Sequence, residues 1–75
     1  MTDSEKNLTV KAKQYLKQSF GEDTISMTIT KNAVHNGTGI FSVDCTVSVG
    51  GHQSDWSKDF HFKNSVIEHM DYRLR

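Results

Sequence analysis

Seventy-five residues bound a single small domain with one core. Nine basic side chains balance nine acidic ones, so no net field draws a polyanion or an anionic membrane from a distance. One cysteine excludes an internal disulfide and a zinc-type cysteine cluster, no segment resembles a signal peptide, and no apolar run reaches the ~18 residues of a membrane span. A reducing, cytoplasmic setting with no membrane partner and no cofactor is the expectation.

A domain of this size buries only about 60% of the surface its unfolded chain exposes. With 35% apolar residues the core is expected to be thin, which rewards a partner surface, either another protein or a second copy. There is no proline and there are five glycines, so long linkers are not expected. Residues 1–6 read as a flexible N-terminus and residues 7–75 as one α+β domain.

Asn7 to Phe20 carries Leu8, Ala12, Tyr15, Leu16, Ser19 and Phe20 at the spacing that places them on one helical face. Asn7 or a residue within Thr2 to Ser4 is expected to cap the first turn, Thr2 and Glu5 having capping-box spacing. Gly21 fits the left-handed position just past the end. Beyond Asp23 the period falls to two. Ile25, Met27 and Ile29 alternate with Ser26, Thr28 and Thr30, as a strand with one buried face requires.

Phe41, Val43, Cys45, Val47 and Val49 then face one way and Ser42, Asp44, Thr46 and Ser48 the other. Gly50-Gly51 supplies the backbone of a tight hairpin, which sets Val49 against His52, Cys45 against Trp56, Val43 against Lys58 and Phe41 against Phe60. The earlier connection, Lys31 to Gly39, is harder to place. A two-residue turn at Asn36-Gly37 would pair Ile29 with Asp44, so a longer loop or a bulge must shift that register by one. Lys58 interrupts the apolar face of the third strand, which reads as the guard of an exposed edge open to strand addition.

Val66, Ile67, Met70 and Leu74, preceded by Ser65 and Glu68 at capping-box spacing, read as a short second helix. The expected architecture is therefore α-β-β-β-α: a three-stranded antiparallel meander with both helices packed on one face.

On the other face this register gathers Asp44, Asp55, Asp59 and His61. The grouping suits a negatively charged docking surface or a hard divalent cation held by Asp44, Asp55 and Asp59. Trp56, on the helix side, becomes the apolar anchor of an interface if the second helix leaves it uncovered. Cys45 reads as a buried apolar filler beyond the reach of any base, and His35, His52, His61 and His69 show no metal-ligand spacing. Mild acid, which charges histidines, would add up to four charges to a neutral protein.

The order helix, three antiparallel strands, helix is also that of the double-stranded-RNA-binding domain. The run Phe41-Ser42-Val43-Asp44-Cys45-Thr46-Val47 resembles the second strand of that family. The resemblance implies a duplex-RNA binder using Lys6, Lys13 and Lys17 along the first helix and Lys63 at the second. The family's glycine-rich segment and lysine pair at the second helix have no counterpart in Ser57 to Ser65, which holds no glycine and one lysine at the junction. The leading expectation is a non-enzymatic binding or regulatory module acting by protein–protein docking through Asp44, Asp55, Trp56, Asp59 and His61, with nucleic acid disfavoured as a partner.

Overall fold

A computed structural model describes residues 4–75. One helix, α1 (Glu5–Phe20), precedes four strands: β1 (Asp23–Asn32), β2 (Gly39–Val49), β3 (His52–Lys63) and β4 (Val66–Leu74). The strands form one antiparallel sheet in the order β1-β2-β3-β4, and α1 packs on one face of it. No helix among the described residues is long and apolar enough to cross a membrane.

The helix begins at Glu5 and takes in Glu5 and Lys6. Ser4 precedes it in extended conformation without a side-chain cap, while Leu8 N–H donates to Ser4 O at 3.1 Å. The capping role expected of Thr2 lies outside the described residues. At the other end Gly21 takes the left-handed position (φ 67°) and its N–H donates to Lys17 O at 3.0 Å. Leu8, Ala12 and Leu16 are buried and Tyr15 lies against the core. Ser19 and Phe20, expected on the same face, remain exposed because the helix ends there.

The β2–β3 hairpin has the register that its glycine turn dictates. Gly50 and Gly51 (φ 57° and 84°) connect Val49 to His52, and Cys45 opposes Trp56, Val43 opposes Lys58 and Phe41 opposes Phe60. In the β1–β2 hairpin the turn is indeed Asn36-Gly37, with His35 bridged to Thr38. A register shift between Ile29 and Lys31 then moves Ile29 opposite Val43 and Met27 opposite Cys45, on the core face. A second shift, between Thr24 and Ser26, turns Ile25 out, and it is 55% exposed where alternation alone would bury it.

The expected second helix is a fourth strand. Asn64 and Ser65 both have positive φ (52° and 66°), the backbone of a two-residue I′ hairpin turn, whereas a helix N-cap needs an extended residue. A shift next to His61 leaves Glu68 as the extra residue, so Ile67 opposes Phe62 while Met70, Tyr72 and Leu74 oppose Phe60, Lys58 and Trp56. The described residues thus form a four-stranded sheet with a single helix, and the helix-three strands-helix order of the double-stranded-RNA-binding domain does not apply. It follows that β3 is an interior strand, and Lys58 does not guard an edge. The edges are β1 and β4.

The two turns at one end of the sheet meet. Ser65 N–H donates to Gly37 O at 2.9 Å, Gly37 (φ 80°) is buried, and a Cβ there would collide with the Ser65 backbone. Val34, in the same region, is fully buried and joins Phe41, Val43, Cys45, Val47, Phe60 and Phe62 in the core under α1. Lys11 Nζ reaches Ser65 O at 2.8 Å, tying the helix to that end of the sheet.

Candidate functional site

The end of the sheet nearer Gly50-Gly51 outruns the helix. At that boundary Lys58, 2% exposed, enters the core face from β3, and its ammonium lies 2.5 Å from Glu22 Oε1 in the link between α1 and β1. The same ammonium sits 5.7 Å from the Phe20 ring centre and 5.6 Å from that of Trp56, within cation–π range. A buried ammonium needs this ion pair, since an isolated charge there would cost several kcal/mol.

Around the pair opens a cleft of about 190 Å³ lined by Phe20, Glu22, Trp56, Lys58, Met70 and Tyr72. Trp56 Nε1–H donates to Ser54 Oγ at 2.8 Å and the indole meets Tyr72 edge-on at 5.5 Å. Phe60 is fully buried, edge-on against Tyr15, while Trp56 is only partly covered. Tyr72 and Leu74 beside it are 59% and 66% exposed, a large apolar commitment for the last strand of so small a sheet.

These residues border a free strand edge. Arg75 N–H donates to Asp55 O at 3.0 Å. In antiparallel pairing the backbone groups of alternate residues point to opposite sides, so Asp71 and Arg73 also address β3. The N–H and C=O groups of Met70, Tyr72 and Leu74 therefore point away from the sheet, where no further strand lies among the described residues.

On the open face Asp44, Asp55, Asp59 and His61 lie together as the hairpin register requires. Asp44 accepts a hydrogen bond from Ser57 Oγ at 2.8 Å and lies 4.0 Å from the Arg75 guanidinium, and Asp55 accepts one from Thr46 Oγ1 at 2.6 Å. Asp44 and Asp55 are thus engaged one by one by neighbouring donors, not aimed at a common centre with Asp59. His61 has a different company. Its ring stacks on that of His69 at 4.0 Å with the planes 15° apart, and its Nε2 lies 2.9 Å from Asp71 Oδ2. His69 and Asp71 escape a sequence reading that assigns them to a helix. The available signal was Asn64-Ser65, which reads as well for a hairpin as for a cap.

Burial pushes the Cys45 thiol up, against a smaller opposing effect of the Lys58 charge, which suits a core filler and not a nucleophile. Lys6, Lys13 and Lys17 are exposed along α1, with Lys17 paired to Asp23 at 2.8 Å. Lys63 ends β3 at a hairpin, so the junction with a second helix that would make it a phosphate clamp does not exist. Comparison with protein-family models, curated proteins and solved structures returns no match for this chain.

Proposed function

We propose that this protein is a small non-enzymatic docking module that acts by protein–protein association, and that the surface it uses is the outer edge of β4 with the cleft beside it. The occupant is a second copy of the chain. The observation that carries this reading is the self-complementarity of β4 about Tyr72. In an antiparallel pair centred there, Tyr72 opposes itself, Met70 opposes Leu74, and Asp71 opposes Arg73 of the second copy.

Each level of that arrangement agrees with the others. Met70, Tyr72 and Leu74 are the residues whose backbone groups face outward, so these pairs exchange main-chain hydrogen bonds. Their side chains lie on the helix-covered face, so the exposed Tyr72 and Leu74 gain apolar neighbours. Asp71 and Arg73 lie on the open face and meet with opposite charge. Centring the pair on Asp71 instead would set two carboxylates against each other, which selects the Tyr72 register. An isolated core this small gains from joining two sheets into one.

Sedimentation equilibrium tests the pairing. The native chain is expected to dimerise with concentration. Arg73→Asp, which sets acid against acid across the two-fold, is expected to shift it to monomer, and the exchange Asp71→Arg with Arg73→Asp to restore the dimer. A native chain that stays monomeric up to its solubility limit, or an exchange variant no better than Arg73→Asp alone, overturns the proposal.

A further inference from the structure

Two β3 residues and two β4 residues form a tile on the open face of the sheet: His61 opposes His69 and, one step along the same face, Asp59 opposes Asp71. We infer that this tile is a binding site for a divalent first-row transition cation of the zinc and nickel class, with His61, His69 and Asp71 as ligands. The site lies within one chain and does not require the β4 edge pairing, with which it shares Asp71.

One ligand atom from each of the three residues lies within 4.8 Å of the other two. Metal–nitrogen and metal–oxygen bonds of about 2.0–2.2 Å in tetrahedral geometry need ligand atoms about 3.3 Å apart, so the gap to close is small. His69 and Asp71 are exposed and can rotate to close it, while His61 is half-buried and fixed on an interior strand. The donor set decides the class of ion. Two imidazoles with one carboxylate suit zinc, nickel and copper, whereas calcium and magnesium take oxygen-rich shells. The remaining coordination positions face solvent and take water.

A second feature of the tile points to a cation. Asp59 and Asp71 are directly opposed across the strand pair, an arrangement that destabilises a sheet unless the charge is compensated. Within one chain and among the described residues, Asp71 has only the His61 ring as a partner and Asp59 makes no ion pair. A divalent ion held beside them supplies the missing positive charge. Because its ligands come from both strands, it also clips β4 to β3.

Isothermal titration of the native chain with zinc chloride or nickel chloride is the test, paired with thermal unfolding in the presence and absence of the metal. Binding with one ion per chain, a raised melting temperature, and a loss of affinity of at least about tenfold in both His61→Ala and His69→Ala support the site. These positions lie outside the core, so the variants are expected to fold, and far-ultraviolet circular dichroism checks this. His35→Ala with His52→Ala serves as the control and is expected to bind as the native chain does. No heat of binding at millimolar metal, unchanged affinity in His61→Ala or His69→Ala, or equal competition by magnesium would overturn the inference.

Discussion

Replacing Glu22 by leucine removes the partner of Lys58, the most deeply buried charge among the described residues. At 2.5 Å and an effective dielectric constant of about 20, the attraction between Lys58 and Glu22 is about 7 kcal/mol. Withdrawing each ion from water costs several kcal/mol, so the intact pair contributes little net stability. Removing one partner leaves the other's desolvation uncompensated. Lys58 is the more buried of the two, with side-chain exposure of 2% against 13% for Glu22, so the loss falls hardest on Glu22→Leu. We expect Glu22→Leu to cost about 3–5 kcal/mol, Lys58→Met less, and the double variant to lie within about 1 kcal/mol of the native chain or above it. A domain of this length has a total stability of about 4–11 kcal/mol, so Glu22→Leu alone should bring it near unfolding. Urea denaturation followed by the fluorescence of Trp56, whose ring adjoins the Lys58 ammonium, reads the whole cycle. Losses that simply add in the double variant would refute the account, because they would mean that the two charges do not depend on each other.

Cys45 offers a second measurement. Its buried thiol holds its proton above the pH, about 8.5, at which an unfolded cysteine releases it. The stability this confers is complete below the unfolded value and is lost as pH rises through the native one. Native stability relative to Cys45→Ala should therefore decline above about pH 8.5, by up to about 1.4 kcal/mol per pH unit, and parallel curves would contradict the burial of the thiol. At the turns, Ser65→Gly should stabilise by about 0.5–1 kcal/mol, since glycine removes the left-handed strain of Ser65 (φ 66°) at a smaller entropic cost. Gly37→Ala should destabilise by more than about 1 kcal/mol, because its Cβ would strike the Ser65 backbone at 2.6 Å as well as strain a φ of 80°. Chemical denaturation of each variant at fixed pH decides both.

The hairpin of β2 and β3 was legible in the sequence because every level of its code is local. Gly50-Gly51 fixes the turn, the turn fixes the register, and no bulge intervenes before Phe41 and Phe60. The β1–β2 pairing was legible only as a contradiction. A tight Asn36-Gly37 turn and a core-facing Ile29 are incompatible without one extra residue, and the shift between Ile29 and Lys31 is that residue's trace. The outward turn of Ile25 had no such signal, since alternation by itself places it inside.

The β4 segment shows how a bulge can imitate a helix. A regular strand would bury alternate residues, but the extra residue at Glu68 makes the inward set Ile67, Met70, Tyr72 and Leu74, opening with a step of three. With Val66 ahead of it and Tyr72 left out, this reads as the three-and-four rhythm of a helix. Ser65 with Glu68 then supplies a plausible cap. What decides against the helix is tertiary. Asn64 and Ser65 take left-handed backbone, Ser65 is held by Gly37 from the other hairpin, and β3 presents an unpaired side on which the inward-pointing backbone groups of a nine-residue strand find partners. The same decision creates the site. Only as a strand, and only after the bulge, does His69 come opposite His61 and Asp71 opposite Asp59, so neither the tile nor the free β4 edge was visible until the last element had changed its period from 3.6 to two.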